Sequence, residues 1–581
     1  MRKALGTAVL SLLAVTTVST AATTAPAVAT SQTATAQKYV VVYRKGASVT
    51  SARAAIKAAG GTIVKERTKI GVASVSTKST GFQAAIRKSR FISGVARDRV
   101  IGRSPAAGLS AAARRDAVEK EGRSAAASSA PPSHSSSPNN HPLAEPLSDR
   151  QWNMQMIGAT PTGTYATQPG SKKVMVGVMD TGVDGNHPDI KPNFSFALSR
   201  NFTTDIPLVD GACADDPDGS CTDPAWVDED GHGTHVASTI GSPINDLGIA
   251  GVAPNVTLVN VRAGQDSGYF FLQPTIDALM YSADIGIDVV NMSFYIDPWL
   301  YNCGPANPAL DPVTGLPTDS PAEQAEQQAI IDATNRALDY AHSKGVTLIG
   351  AAGNSHENLG ADPKFDDSSP DFPPGTERER IVSNACLDMP TEGNHVLSIS
   401  AVGPSGRKSD YSNFGMEQIN VAAPGGWFRD YLGTNRFRSN DNLILAAYPE
   451  SVARANGEIN KGGGIPNKDN DAVVRDCRPA GGVCAYYQNI QGTSMAAPHA
   501  TGVAALIISE FGVSDGKGGL TMSPDAVKAR LEGTATPHAC PPGGVEDYTL
   551  VGRTWTNTCT GTVEFNDFYG HGIVNALAAV S

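Results

Sequence analysis

Three short segments of this 581-residue chain carry side chains whose types suit one piece of chemistry. The apolar run VMVGVM (174–179) ends in Asp180-Thr-Gly-Val, which places a carboxylate at the carboxyl edge of a strand. Gly231-His232-Gly-Thr-His235-Val-Ala opens an Ala-rich helix in which two glycines leave His232 unobstructed, while His235, one turn on, reads as buried and structural. Gly492-Thr-Ser494-Met-Ala-Ala-Pro-His499 opens another helix of small residues, so Ser494 sits where free N–H groups and the helix dipole favour developing negative charge. Singly, these residues have plain structural uses, a turn for Asp180 and an N-cap for Ser494. Together they supply what a serine nucleophile needs at neutral pH, an imidazole base held in one tautomer by a carboxylate. Acyl transfer also needs donors for an oxyanion. Ala351-Ala-Gly-Asn354, directly after the strand Val346–Gly350, offers a side-chain amide to join the Ser494 backbone N–H.

These residues need a scaffold that brings them to one edge. Apolar runs at Val174–Met179, Thr257–Val261, Asp288–Met292, Val346–Ala351 and Leu397–Val402 alternate with helix-like segments such as Ala322–Ser343. That alternation predicts an α/β fold, a doubly wound and mostly parallel sheet with helices on both faces, whose site is built by loops at the carboxyl ends of its strands. Upstream, YVVVYR (39–44) and GVASV (71–75) read as strands and Ser51–Ala59 as a helix, a small α+β module within 38–103. Residues 104–146 turn to Ala, Ser and Pro and read as a linker before a catalytic unit over 147–581.

Composition bounds the function classes. The chain is 40% hydrophobic and 18% charged, too apolar for a disordered chain, and its 59 glycines lack the period of collagen. Met1-Arg2-Lys3, the apolar run Ala4–Val15 and Ala27-Val28-Ala29 read as a signal peptide over 1–29, hence a secreted, extracellular protein, and no internal run is long and apolar enough to span a membrane. Export would place the eight cysteines in an oxidising compartment. Spacing suggests Cys213/Cys221, Cys477/Cys484 and Cys540/Cys559, leaving Cys303 with Cys386, and no Cys/His cluster of zinc-site spacing is present. The net charge of −11 divides unevenly: 15 Lys and Arg face two acidic residues over 30–103, whereas 24 basic face 50 acidic residues over 151–581. The basic segment therefore has a partner within its own chain, a simpler reading than nucleic acid.

With these motifs in this order, the chain resembles the subtilisin family (subtilases, peptidase family S8) of secreted serine proteases. GIAGVAP (248–254), Asn291-Met-Ser293, VLSISAVG (396–403), YSNFG (411–415), VAAPG (421–425) and GHGIVNALAA (570–579) extend the likeness from Gln151 to the C-terminus. The resemblance implies a monomeric endopeptidase acting on protein or peptide substrates, with Asp180 orienting the imidazole, His232 as general base and acid, Ser494 as nucleophile and Asn354 in the oxyanion hole. It also implies that 38–103 is an inhibitory, ferredoxin-like propeptide binding its own catalytic unit, with the mature chain starting between Arg103 and Glu145. A dedicated processing peptidase and an inactive peptide-binding scaffold are the alternatives. No catalytic cofactor is implied, but a structural Ca²⁺ is, held by Asp189 and Asn245 side chains and the carbonyls of Pro243, Leu247 and Ile249, with Glu145 or Gln151 completing the shell. The acidic loop 213–230, with Asp215, Asp216, Asp218, Asp223 and Asp228, reads as solvated. Substrate would lie along Ser293, Phe294, Tyr295 and Gly353; where the family usually has Ser-Leu-Gly-Gly, this chain has Ser293-Phe294-Tyr295-Ile296, and the added bulk suggests narrowed specificity. Extra material around 297–325, 355–395 and 427–487 is expected to form surface loops rimming the cleft.

Overall fold

The computed structural model describes residues 36–98, 117–124, 141–207, 209–214, 219–466, 472–478 and 482–581. The expected signal segment and much of the expected linker lie outside them.

The central sheet forms from segments apolar on both faces, as a parallel sheet covered on both sides requires. It comprises β5 (Met175–Met179), β6 (Arg200–Asn201), β7 (Thr257–Arg262), β8 (Val289–Met292), β9 (Thr347–Ala351), β10 (Val396–Val402) and β11 (Ile419–Pro424), in the order β11-β10-β9-β8-β5-β7-β6. Every pairing is parallel. All five strands expected from sequence fall within one residue of their expected bounds. β10 starts one residue early, and β11 arises from VAAPG, which reads as a motif rather than a strand. Helices α3 (His232–Gly241), α4 (Leu272–Ile285), α5 (Pro321–Ser343) and α6 (Thr493–Phe511) cover the sheet. α6 is apolar around its whole circumference and buried from Thr493 to Ile508, so it runs through the core rather than over it. A three-stranded antiparallel sheet, β12 (Ile444–Ala447), β13 (Val473–Cys477) and β14 (Cys484–Ile490), packs α3 from the other side, in the order β12-β14-β13.

The N-terminal module runs β1 (Gln37–Tyr43), α1 (Val49–Ala58), β2 (Thr62–Arg67), β3 (Val72–Thr77), α2 (Phe82–Ile86) and β4 (Ile92–Asp98), with antiparallel sheet order β2-β3-β1-β4. This is the β-α-β-β-α-β order of ferredoxin-like modules. Alternation in β1 splits its side chains: Tyr39, Val41 and Tyr43 join α1 and α2 in the module's own core, whereas Val40 and Val42 pack with Leu272, Ile276, Ala329 and Ala333 of α4 and α5. The uneven charge division has a local counterpart here. Lys65 Nζ and Arg67 Nη2 reach the carboxylate of Asp277 at 2.7 and 2.5 Å, and Lys69 Nζ lies 2.8 Å from Asp284. Arg336 donates to the carbonyl of Tyr43 at 2.8 Å. Asp277 is nearly buried, so removing it takes the shared carboxylate partner from the partly exposed Lys65 and Arg67. Asp277→Ala in the full chain is therefore expected to lower hydrogen-exchange protection of β1–β4 by about tenfold. Unchanged protection would assign the docking to the apolar face alone.

All four disulfides pair as spacing suggested: Cys213–Cys221, Cys303–Cys386, Cys477–Cys484 and Cys540–Cys559. The expectation of surface loops needs correction. Segments 297–325 and 355–395 build a small core of their own, with Tyr301, Cys303, Leu359, Val382 and Cys386 buried together. Arg380 is fully buried within it, bonded to Asp319 and Asp366 at 2.9 and 2.8 Å. A buried guanidinium is tolerated only when its donors are matched in this way.

Candidate active site

Asp180 stands just past β5, and His232 opens α3. The two elements meet because Gly233 carries no side chain: a Cβ there would lie 2.0 Å from the carbonyl oxygen of Gly182. Asp228 caps α3, accepting the N–H groups of Gly231 and Thr234 at 3.0 and 2.9 Å and the Thr234 hydroxyl at 2.6 Å. A carboxylate at a helix N-terminus also suits the dipole. Asp228 is thus a structural cap, and Asp223 pairs with the buried Arg262, so neither is a solvated member of the acidic loop; Asp215, Asp216 and Asp218 lie outside the described residues. His232 Nδ1 lies 2.6 Å from Asp180 Oδ1, which aims the other ring nitrogen into the cleft. His235 is buried, its Nε2 at 3.0 Å from the Ile444 carbonyl and 3.1 Å from that of Gln488, in keeping with a structural role.

Ser494 is the second residue of α6. Pro498 lacks an N–H, so the carbonyl of Ser494 loses its ordinary helical partner. Ser293 Oγ donates to that carbonyl at 3.1 Å and itself accepts from Asn291 Nδ2 at 2.9 Å. Ser293 therefore anchors the start of α6 as well as lining the cleft. Asn354 is clamped by Thr493, whose N–H and hydroxyl both donate to Asn354 Oδ1 at 2.9 Å, turning the Asn354 NH2 group toward Ser494. Gly353 donates its N–H to the same threonine hydroxyl at 3.0 Å. Phe294, expected to crowd the substrate edge, instead stacks on Phe270 with ring centroids 4.0 Å apart, and Tyr295 donates to Asp371 at 2.6 Å. Both still line the cleft.

Sequence reading missed the residue at the centre of this arrangement. Residues 117–124, inside the expected linker, form short helical turns that lie in the cleft. Glu119 Oε1 accepts from Ser494 Oγ at 2.9 Å, lies 3.6 Å from His232 Nε2 and 3.5 Å from Asn354 Nδ2. Gln491 holds the backbone, donating its N–H to the Glu119 carbonyl at 3.1 Å and its side-chain amide to the Val118 carbonyl at 3.0 Å. Glu121 bridges Arg429 and Arg553 at 2.6 and 2.8 Å. Burial opposes a charged imidazole, but the Asp180 and Glu119 carboxylates outweigh it and hold His232 well above its ordinary 6.5. The only available sequence signal was the run Ala117-Val-Glu-Lys-Glu, whose residues favour a helix where the surrounding Ser and Pro do not.

Of the expected calcium ligands, Asp189 and Asn245 meet. Asn245 Nδ2 lies 3.0 Å from Asp189 Oδ1, on the loop that carries Pro243, Leu247 and Ile249. Asn245 Oδ1 is buried without a partner and would suit a cation. The remaining geometry does not fit one. Glu145 accepts the N–H groups of Asn245, Asp246 and Leu247 at 2.5, 3.3 and 2.8 Å. Asp189 Oδ2 accepts from Ile249 N–H at 3.3 Å and Tyr487 O–H at 3.1 Å. Gln151 is committed to Ala250 through both side-chain atoms. A calcium cage needs six to eight oxygens turned inward, whereas hydrogens point at both carboxylates here.

The subtilase family model matches residues 171–572, more than half of the chain. The protein belongs to the subtilase family. It is 24% identical to subtilisin DY of Bacillus licheniformis over 365 residues, covering 62% of this chain and 84% of that one. It is 26% identical to the nisin leader peptide-processing serine protease NisP of Lactococcus lactis over 368 residues, covering 63% and 45%. The fold is similar to that of the epidermin leader peptide processing serine protease of Staphylococcus aureus, with TM-score 0.56 and 19% identity over 94% of this chain and 98% of that one. As a subtilase the protein is a subtilisin-like serine endopeptidase of the hydrolase class, a family without a catalytic cofactor, and protein or peptide substrates are consistent with it.

Proposed function

We propose that this subtilase is a secreted, monomeric endopeptidase made as a zymogen, which hydrolyses peptide bonds through Asp180, His232 and Ser494. The observation that carries the reading is the meeting of three groups on one oxygen position, with Ser494 Oγ, His232 Nε2 and Asn354 Nδ2 all converging on Glu119 Oε1. When substrate replaces that carboxylate, Ser494 Oγ attacks the scissile carbonyl carbon while His232 Nε2 takes the hydroxyl proton. The carbonyl oxygen, now negative, receives the Asn354 NH2 and the Ser494 N–H. Collapse of the tetrahedral intermediate breaks the C–N bond as the imidazolium returns its proton to the leaving amine. Water, deprotonated by the same imidazole, then releases the acyl group. Asp180 keeps the proton on Nδ1 throughout and stabilises the imidazolium.

The zymogen reading rests on the docked module and on residues 117–124 lying over Ser494. Closure of the 243–249 loop by Glu145 and Asp189 gives this reading no need for calcium. The likeness to two leader-processing proteases keeps a dedicated processing role as the second reading, which Ser494 labelled with casein left intact would favour. The test is to treat the secreted full chain with a fluorophosphonate and to assay casein. Labelling at Ser494 with casein hydrolysis is expected; label elsewhere, or none with casein intact, refutes the reading. Asn354→Ala is expected to lower kcat by about 10²–10³ with little change in KM, since this amide acts on charge that develops only in the transition state.

A further inference from the structure

Beside Ser494 and Asn354 the cleft opens into a pocket of about 390 Å³. Phe294, Leu300, Tyr301 and Phe365 give it apolar walls, and Val118 from the 117–124 segment also lines it. Two polar atoms in this lining are buried without partners, Asp388 Oδ1 and the Tyr301 hydroxyl, on side chains 2% and 0% exposed. The carboxylate lies close under the oxyanion strand: a Cβ built on Gly353 would be 3.8 Å from Asp388 Oδ2. Glu357, Asp366 and Asp367 line the same pocket, and among the described lining residues there is no Lys or Arg. Asp366 is already bonded to Arg380. The nearby Lys364 directs its ammonium at the carbonyls of Leu359 and Cys386, at 2.8 and 3.5 Å. Burial, with Glu392 adding to it and Lys364 opposing, holds the Asp388 carboxyl well above the ordinary carboxylate range. A buried acid with an empty acceptor, in a pocket lined by further carboxyl groups beside a nucleophile, is poised to ionise against an incoming cation.

We propose that Asp388 is the specificity-determining residue of this pocket, which takes the Arg or Lys side chain on the acyl side of the bond cut. The inference rests on the endopeptidase reading above. An incoming guanidinium or ammonium supplies N–H donors to Asp388 Oδ1 and places its charge near the Glu357 and Asp367 carboxyl groups, while its aliphatic stem lies along Leu300, Tyr301 and Phe365. A neutral side chain leaves Asp388 buried and unpaired, and sites built to bond a polar group reject analogues lacking it by large factors. The chain offers such residues to itself: Arg103, Arg114, Arg115, Lys120 and Arg123 all lie between β4 and the catalytic unit. Self-cleavage is expected after one of them.

The test uses the secreted full chain and four fluorogenic peptides that differ only in the residue before the cut: Arg, Lys, norleucine or Phe. Arg and Lys are expected to exceed the neutral residues in kcat/KM by about 100-fold or more. Asp388→Asn is expected to shrink the Arg-to-norleucine ratio at least about 30-fold. Norleucine or Phe cleaved as well as Arg, or a ratio untouched by Asp388→Asn, overturns the proposal. Should the variant not fold, the wild-type ratio decides by itself. Should no peptide be cut, thermal unfolding of the full-length Ser494→Ala chain with benzamidine or uncharged benzamide separates the two readings. Stabilisation by benzamidine alone, lost on adding Asp388→Asn, keeps the pocket and discards the protease. Absence of stabilisation discards the pocket.

Discussion

Ser494→Ala is expected to lower casein hydrolysis by about 10⁵–10⁶-fold and to leave the chain joined through residues 104–146. The magnitude follows from the way the three residues act as a unit. Without Oγ there is no nucleophile for His232 to activate, and the residual rate comes from Asn354 and binding alone. His232→Ala should cost about as much, and the double variant little more, because the second substitution removes a group with nothing left to do. Initial rates on casein and the mass of the secreted chain are the two readouts. A Ser494→Ala chain that still sheds its N-terminal module would mean that another protease performs the cleavage.

Glu119→Gln is expected to open the cleft. The wild-type carboxylate accepts the Ser494 hydroxyl proton and faces a protonated imidazole, and both interactions need its negative charge. A neutral amide retains the shape and loses the charge, so fluorophosphonate labelling of the unprocessed chain should accelerate by about tenfold or more, the worth of one charge-assisted bond. The pH dependence has a definite sign. The groups facing His232 are Asp180, Glu119 and His235, whose own pKa burial pushes down to about 3, leaving it neutral. His232 is raised above 6.5 in the closed form, so the closed form gains stability that is fully present below 6.5 and is lost as pH rises through the raised value. Labelling and self-cleavage should therefore increase with pH, and in Glu119→Gln the midpoint of that increase should move to lower pH. An unshifted midpoint would show that Glu119 does not set the charge of His232.

Asp180, His232, Asn354 and Ser494 were legible because each sits in a short run whose glycines, small residues and flanking strand or helix declare its local geometry. The parallel strands were legible for a similar reason, since burial on both faces leaves a continuous apolar run such as VMVGVM. Cysteine spacing likewise found the three local disulfides, and the fourth followed by elimination.

Other features rest on meetings between distant segments. Glu119 and Ser494 are 375 residues apart, and nothing in Ala117-Val-Glu-Lys-Glu says that its carboxylate will meet Ser494, His232 and Asn354. Asp388 follows the disulfide cysteine Cys386 in an insertion that sequence reads as a surface loop. Only the folding of that insertion around Tyr301 and Arg380 buries it beside Gly353. The 243–249 loop has the length of a calcium loop, yet Glu145 meets its N–H groups, and the direction of a peptide unit is invisible to spacing. Sequence by itself determined the family, the sheet-forming segments and the residues proposed to react, because those are local patterns of polarity and shape. Tertiary structure alone decided what fills the cleft, what charge lies in the pocket and what closes the loop, because electrostatics and hydrogen bonding act across space between residues that the chain keeps far apart.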